Sequence, residues 1–178
     1  STCKLVVALA ALETGVISAD HRVGCTGKIE FGNRTFHCWK RAGHGRLDLL
    51  AAIQQSCDIY FYDIALKVGV DRIAAMAERL GLGATTGVGL LGEKPGFIPT
   101  KAWKQASIGE AWQKSETIIA GIGQGFVLTT ALQLALMTAR IANGGSAVQP
   151  QIVAPLEGEE AAPAPSLGIS RAALDIVL

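Results

Sequence analysis

The sequence predicts an α+β domain that is mainly helical. Apolar side chains recur at helical spacing in several segments, and one turn dipeptide flanked by β-forming residues predicts a hairpin. The 178 residues suffice for one domain or for part of a larger one. The formal net charge is +1 and 17% of the residues are charged, without a basic run longer than two, which argues against a nucleic-acid partner.

The first helix is predicted over residues 5–12. Its apolar side chains recur at the spacing of a buried helix face: Leu5, Val6, Leu9 and Leu12. Ser1 and Lys4 would then meet on one face of the first turn, where free backbone N–H groups favour negative charge on a hydroxyl. Burial of Lys4 would favour its neutral amine, which can take a proton from Ser1. The alternative is an N-cap serine followed by a surface lysine.

A β-hairpin is predicted next, with strands at residues 28–31 and 34–39 around the turn Gly32-Asn33. This pairing would bring Cys25 and Cys38 to the same open end. Glycines at positions 43 and 45 then interrupt the chain, and a helix is predicted over residues 47–55 with Asp48 in its first turn.

Further helices are predicted from the same spacing at residues 59–67, 71–80 and 131–142, the last with Thr129 or Thr130 as its N-cap. Residues 81–99 are predicted to be a long irregular connection, after which Thr100 caps a short helix that runs through Trp103. A short strand is predicted at 148–153, a linker or surface loop at 154–169, and the start of a truncated helix at 170–178.

A second serine supports a catalytic role for the first. Ser56-Cys57-Asp58 offers a hydroxyl that can relay a proton to a leaving amine and, two residues later, a side chain that can orient a lysine or a substrate. An S-x-x-K tetrapeptide followed by an S-x-N type triplet is typical of β-lactamases and penicillin-binding proteins. The alternative is that Ser56 only caps the next helix.

A structural Zn²⁺ site is predicted from Cys25, Cys38, His44 and Cys57, which are separated by 12, 5 and 12 residues. A metal bound there would hold the segment that carries Ser56. The alternatives are a Cys25–Cys38 disulfide or buried thiols, and His37 is an alternative ligand to His44. Cys3 is predicted to serve packing, and His21 is predicted at the surface.

The three tryptophans are predicted to pack in the core or to anchor loops, with the lining of a peptide groove as the alternative. They are Trp39, Trp103 and Trp112.

Four segments carry a resemblance to a known family: Ser1-Thr2-Cys3-Lys4 with its apolar continuation, Trp39-Lys40-Arg41-Ala42-Gly43-His44-Gly45, Ser56-Cys57-Asp58-Ile59-Tyr60-Phe61-Tyr62 and Gly121-Ile122-Gly123-Gln124-Gly125. In this order they resemble the transpeptidase domain of class B penicillin-binding proteins over residues 1–153. The second and third segments are similar to the elongation-specific penicillin-binding protein 2 group. The resemblance implies the penicillin-binding protein and serine β-lactamase-like fold, represented by its helical subdomain with most of the sheet missing.

The resemblance also implies the chemistry. Ser1 would be acylated by the penultimate D-alanine carbonyl of a peptidoglycan stem peptide, Lys4 would take its proton and Ser56 would relay it. Asp58 stands where many relatives have asparagine, so it would either contact substrate or hold Lys4. The segment 121–125 would be structural, and the chemistry would require no cofactor.

One family motif, the K-T-G or K-S-G triplet, does not occur in the sequence. In the family this triplet lies on a strand that also supplies an oxyanion-hole donor, a contribution of about 3 kcal/mol or more to transition-state stabilisation. The isolated piece is therefore expected to be inactive.

The resemblance implies stem peptides, β-lactam antibiotics and a cell-wall elongation machinery with a glycan polymerase as partners. It implies the periplasmic face of the bacterial inner membrane, with the anchor outside this chain. Two alternatives are a zinc-stabilised binding module without catalysis and an N-terminal nucleophile hydrolase that uses the α-amine of Ser1 as its base.

Overall fold

The computed structural model describes residues 2–153 and 163–178, so Ser1 and residues 154–162 lie outside the described residues. The helices are α1 (Lys4–Glu13), α2 (Leu49–Gln54), α3 (Asp58–Val68), α4 (Val70–Arg79), α5 (Lys101–Ile108), α6 (Lys114–Ala120), α7 (Ala131–Ala142) and α8 (Arg171–Val177). The strands are β1 (Val23–Cys25), β2 (Lys28–Phe31), β3 (Arg34–His37) and β4 (Gly45–Leu47). Among the described helices, none has the length and apolar character that a membrane crossing requires.

Helix α1 is the centre of the core, and it confirms the helix predicted over residues 5–12. It packs against α3, α4 and α8. Ala8, Leu9 and Ala11 have no exposed surface, because the small alanine side chains let the neighbouring helices approach closely. A central buried helix fixes the position of the side chain at its first turn, which is that of Lys4.

The strands form two separate antiparallel pairs. Strands β2 and β3 form the predicted hairpin, with Lys28 opposite His37 and Phe31 opposite Arg34. Strands β1 and β4 form a second pair in which Cys25 lies opposite Gly45, and the sequence did not predict this pair. It places the chain around residue 44 beside Cys25, and the His44 N–H donates to the Cys25 carbonyl over 3.1 Å.

The β1–β4 pair corrects the predicted start of the helix at residue 47. Leu47 belongs to strand β4 and is buried, and α2 begins at Leu49. Asp48 is the N-cap of α2 rather than a residue of its first turn, since its carboxylate accepts from the Ala51 N–H over 3.0 Å. Pairing with β1 keeps Leu47 extended, and a helical pattern read from the sequence cannot include such a distant partner.

Helices α3, α4 and α7 confirm three predicted helices, and Thr130 is the N-cap of α7. Thr100 caps α5 as predicted, but α5 continues beyond Trp103 to Ile108. Helix α6 was not predicted. Its first turn is stabilised by the Glu116 carboxylate, which accepts from the Gln113 N–H over 2.6 Å.

The connection from residue 81 to 99 is irregular, as predicted, and α7 holds it in place. The fully buried Gln133 amide donates to the carbonyls of Ala84 and Pro95 over 2.6 and 2.7 Å. Because the two hydrogen bonds of this side-chain amide reach both Ala84 and Pro95, they fix a loop that has little regular structure of its own.

The strand predicted at 148–153 is wrong, because the structure contains no strand at these residues. Among the described residues the only β-bridge nearby joins Ser146 to Ser166, so this segment has no partner strand. Ser170 caps α8, which packs against α1 and α2, and residues 154–162 of the predicted linker lie outside the described part of the chain. The division at residues 153 and 169 stays a prediction.

Candidate active site

Lys4 is the buried lysine of the site. The residue is 4% exposed at the start of α1, and its Nζ donates to three oxygens of Ser56 and Asp58, at the junction between α2 and α3. The distances are 2.7 Å to the Ser56 carbonyl, 2.9 Å to Ser56 Oγ and 2.7 Å to Asp58 Oδ1. The structure therefore brings together three of the four predicted catalytic residues, and the fourth, Ser1, lies outside the described residues.

The backbone at Ser56 is strained. Its φ of 49° is the only positive value recorded for a non-glycine residue in the described chain. Non-glycine residues held in this region cost about 1–3 kcal/mol and persist where the surrounding structure enforces them. The strain aims both the hydroxyl and the carbonyl of Ser56 at Lys4.

The Asp58 carboxylate is occupied on both oxygens. Oδ1 accepts from Lys4, and Oδ2 accepts from the backbone N–H of Trp39 over 2.8 Å. Of the two roles considered for Asp58, this geometry favours orientation of the lysine over contact with substrate.

A cavity of about 510 Å³ opens directly beside these groups. Its lining includes Lys4, Ser56 and Asp58, together with Trp39, for which the lining of a groove was the alternative prediction. The sequence did not single out three further lining residues as site residues: Arg41, Ile122 and Gln124. The signal that was available for them is their position inside the quoted family segments.

Trp39 corrects the expectation of core packing and confirms that of loop anchoring. The residue is 63% exposed, and its indole N–H donates to the carbonyls of Gln55 and Ser56 over 3.0 and 3.1 Å. It thus anchors the strained segment while lining the cavity.

The other two tryptophans belong to an aromatic cluster around Phe126. The ring centroids of Trp103 and Trp112 lie 5.2 and 6.4 Å from that of Phe126, and Phe97 lies 4.5 Å from Trp103. These contacts agree with the expected packing role.

The segment 121–125 places Ile122 and Gln124 on the wall of the cavity. A Cβ at Gly121 would lie 2.4 Å from the Cβ of Ala65, so glycine allows α6 to pack closely on α3. Gly123 has a φ of 76°, and a Cβ there would lie 2.8 Å from Cys3. The predicted structural role of the glycines is confirmed by these close approaches, and the packing role of Cys3 likewise.

The predicted metal ligands also converge. One ligand atom from each of Cys25, Cys38, His44 and Cys57 lies within 4.8 Å of the other three. His44 Nδ1 lies 3.5 Å from both Cys25 Sγ and Cys38 Sγ. All four cysteines of the chain are described and are free thiols, so the disulfide alternative is absent, and His37 is exposed and not part of the cluster.

Burial dominates the electrostatics of this cluster. It raises the pKa of the Cys57 thiol to about 12, and the nearby thiols of Cys25 and Cys38 add to the effect. Burial lowers the pKa of His44, which keeps the imidazole neutral, the form that binds metals. His44 Nε2 is buried and has no hydrogen-bond partner within the described residues.

The two groups of residues are linked through the chain. Cys57 lies between Ser56 and Asp58, and Cys38 precedes Trp39, whose backbone N–H binds Asp58. The Trp39 indole also packs edge-on against the His44 ring at 5.3 Å. Displacement of the Cys38 or Cys57 thiol would therefore also shift the adjacent residues that surround Lys4, which are Trp39, Ser56 and Asp58.

Comparison with known proteins identifies the family of this chain. The family model for the penicillin binding protein transpeptidase domain matches residues 1–170. This chain belongs to that family.

Among curated proteins, the chain is similar to the peptidoglycan D,D-transpeptidase MrdA of Salmonella typhimurium, with 36% identity over 155 residues, 86% of this chain and 25% of the relative. The Haemophilus influenzae MrdA is 37% identical over 160 residues, 89% of this chain and 25% of the relative. The chain therefore spans about a quarter of the length of these relatives.

Solved structures support the transpeptidase fold. The Pseudomonas aeruginosa PBP2 in complex with WCK 5153 superposes with a TM-score of 0.90 at 37% identity, covering 99% of this chain and 40% of that one. The Helicobacter pylori PBP2 in complex with MreC gives a TM-score of 0.88 at 31% identity, covering 99% and 32%. The predicted fold class is confirmed, and within it the described residues are mainly helical with two small sheets.

Proposed function

We propose that this chain is the helical part of a peptidoglycan D,D-transpeptidase of cell-wall elongation. The observation that carries the proposal is the position of Lys4 Nζ, 2.9 Å from Ser56 Oγ and 2.7 Å from Asp58 Oδ1, at the edge of a cavity of about 510 Å³. The curated relatives named peptidoglycan D,D-transpeptidase support the reaction class.

The proposed reaction is acyl transfer through an ester of Ser1. The Ser1 hydroxyl attacks the carbonyl carbon of the penultimate D-alanine, and its proton goes to the Lys4 amine. Ser56 passes a proton from Lys4 to the nitrogen of the leaving D-alanine as the peptide bond breaks. An amine of a second stem peptide then attacks the ester, gives its proton back along the same path and releases Ser1.

In this scheme Asp58 is a positioning residue. Its Oδ1 holds the Lys4 amine, and the Trp39 N–H on Oδ2 fixes the orientation of the carboxylate. The strained Ser56 backbone keeps the relay hydroxyl within hydrogen-bond distance of Lys4 without a rearrangement at the time of reaction.

The alternatives are less well supported. An N-terminal nucleophile hydrolase requires strands at the amino terminus, whereas α1 begins at Lys4. A binding module without catalysis does not explain why Lys4 contacts Ser56 and Asp58 beside an open cavity.

A fluorescent penicillin tests the proposal, because a β-lactam mimics the D-alanyl peptide and acylates the same serine. The full-length protein that contains this chain should be labelled covalently, and Ser1→Ala should abolish the labelling. Labelling that persists in Ser1→Ala would contradict the assignment of Ser1 as the nucleophile.

We also propose that Cys25, Cys38, His44 and Cys57 hold a structural Zn²⁺. Zinc bonds of about 2.3 Å to sulfur and 2.0 Å to nitrogen give tetrahedral ligand separations of roughly 3.5–3.8 Å. The two sulfur–nitrogen separations of 3.5 Å agree with this geometry. A bound cation would also favour the thiolate forms, which lack a stabilising charge in the cluster.

Zinc analysis of the purified protein tests the site. We expect one Zn²⁺ per protein, and its loss in Cys38→Ser. Cys3→Ser is the matched control, since Cys3 lies outside the cluster, and it should keep the metal. Equal zinc content in wild type and Cys38→Ser would remove the site.

We further propose that the whole protein acts at the periplasmic face of the bacterial inner membrane with an elongation machinery that includes a glycan polymerase. One PBP2 relative is described in complex with MreC. Another similar chain comes from a peptidoglycan synthase complex that coordinates polymerization and crosslinking, at 33% identity and a TM-score of 0.84.

A further inference from the structure

The end of helix α6 and the chain that follows it line two cavities. Ile122 and Gln124 lie on the wall of the active-site cavity, whereas Ile119 and Phe126 line a second cavity of about 310 Å³. We call the second one the hairpin cavity, because Arg34 of the β2–β3 hairpin also lines it. Among the described residues, none lines both cavities, so a molecule in the hairpin cavity leaves the active site accessible.

The walls of the hairpin cavity are mainly apolar, and its aromatic rings are held by contacts of their own. The indole N–H of Trp112 donates to Thr117 Oγ1 over 2.8 Å. The ring of Phe126 packs against that of Trp103, with 5.2 Å between the centroids, and Phe126 is still 37% exposed. A ring that is already held in place offers a ligand a stacking surface at little further cost in conformational entropy.

Two charged residues line the hairpin cavity, and only Arg34 is available to a ligand. The Glu116 carboxylate is engaged on both oxygens, since Oε1 accepts from Lys104 Nζ and Oε2 from the Gln113 N–H, each over 2.6 Å. The exposed Arg34 guanidinium lies over the ring of Phe36, 5.5 Å from its centroid. Across residues 2–153 and 163–178, no acceptor binds the guanidinium N–H groups of Arg34.

This combination of apolar walls and one unpaired guanidinium favours an amphipathic anion. The planar fork of N–H donors matches the two oxygens of a carboxylate, and such charge-assisted pairs are stronger and more directional than neutral hydrogen bonds. The contact of Arg34 with Phe36 orients the fork before a ligand arrives. A volume of about 310 Å³ lies at the lower end of the range for ligand pockets, so the ligand must be small.

We propose that the hairpin cavity binds a small aromatic carboxylate. The ring of the ligand packs against Trp112 and Phe126, and its carboxylate pairs with Arg34. The site is separate from the one that carries out acyl transfer, and the inference does not depend on the proposed function.

Indole-3-acetate and indole-3-acetamide are matched probes for this site, because they differ only in a carboxylate and a primary amide. Titration of each probe into the full-length protein, followed by ligand-observed NMR, gives the two Kd values. We expect a Kd of about 1 mM for indole-3-acetate, as for a ligand of this size with ordinary affinity per atom. Indole-3-acetamide should bind about 5- to 20-fold more weakly.

Substitutions assign the preference to the hairpin cavity. Arg34→Gln should weaken binding of indole-3-acetate to the level of the amide, without changing the Kd of the amide. Phe126→Ala should weaken binding of both probes. Arg46→Gln is the matched control, because Arg46 is an exposed arginine of β4 outside the lining, and it should leave both Kd values unchanged.

Three outcomes would overturn the site: no binding of indole-3-acetate to the wild type, equal affinity of the wild type for the two probes, or an undiminished preference in Arg34→Gln. Equal penicillin labelling of wild type, Arg34→Gln and Arg46→Gln shows that the variants are folded.

Penicillin labelling also separates the hairpin cavity from the active site. Protein acylated beforehand should bind indole-3-acetate with an unchanged Kd, because the two cavities have no lining residue in common among the described residues. Loss of binding after acylation would place the probe in the active-site cavity and would overturn the proposal. Failure of the wild type to be labelled at all would overturn the proposed function instead, since the Kd values are measured without penicillin.

Discussion

Lys4 and Lys104 are both almost completely buried, and comparison of the two separates the environment of the proposed base from that of a structural lysine. Each residue is 4% exposed, and each Nζ contacts a carboxylate, Lys4 at 2.7 Å from Asp58 and Lys104 at 2.6 Å from Glu116. Burial and ion pairing therefore do not distinguish them.

The remaining contacts of the two lysines distinguish them. Lys4 also donates to Ser56 Oγ and lies on the wall of a large cavity. Lys104 instead has a second carboxylate, Glu110 at 3.4 Å, and the Ala111 carbonyl, so it joins α5 to the start of α6. A lysine can exchange protons with a substrate only where a hydroxyl and open space meet it, and only Lys4 of these two has both.

The protonation of Lys104 fits a structural role. Its hydrogen bond to Glu116 is the main cause that raises the pKa of Lys104 above its ordinary value. The residue stays cationic through the physiological range and cannot act as a base there.

The largest expected effect is that of Lys4→Met in the full-length protein. In the proposed reaction, removal of the amine leaves Ser1 without a base, and positioned general bases contribute about 10²- to 10⁴-fold. Penicillin acylation should slow by this factor. Stopped-flow or gel-based labelling, measured well below the melting temperature of the variant, gives the rate, and a rate within threefold of wild type would remove Lys4 from the mechanism.

Lys104→Met is the matched variant and should show the opposite behaviour. It breaks the connection between α5 and α6, so the melting temperature should fall by roughly 1–4 °C while the acylation rate stays unchanged. A loss of acylation comparable to that of Lys4→Met would show that the comparison does not separate the two environments.

The smallest effect is the pH dependence of this stability difference. Because the folded-state pKa of Lys104 is raised, its contribution is complete below the unfolded lysine pKa of about 10.4 and is lost as the pH rises through the folded value. The difference in melting temperature between wild type and Lys104→Met should be constant from pH 7 to about 9 and should shrink above about pH 10.5. A difference that grows with pH would contradict the ion pair.

The helices could be predicted wherever the signals that specify them lie within the helix itself. Apolar spacing and caps predicted α1, α3, α4 and α7, because these signals lie within each helix. The pair β1–β4 could not be predicted in this way, since two strands of three residues depend on each other across the chain. The strand predicted at 148–153 failed for the reverse reason: it has β-forming residues and no partner.

The site residues, like the fold, divide into those that local sequence signals predicted and those that depend on contacts between distant parts of the chain. Lys4, Ser56 and Asp58 were found from motif spacing and family resemblance, and the structure brings their side chains together. The contacts of Trp39 with Ser56 and Asp58 could not be found, because they depend on how the turn after β3 lies against the start of α3. The thiol cluster was predicted from spacing and from the hairpin, which places Cys25 near Cys38.

The most direct test of the account is the location of the adduct that penicillin forms on the full-length protein. Digestion and mass spectrometry of the acylated protein should place the added mass on the peptide that contains Ser1, with its fragment ions assigning Ser1 itself. An adduct on Ser56, or on any residue other than Ser1, would contradict the assignment of nucleophile, base and relay around Lys4.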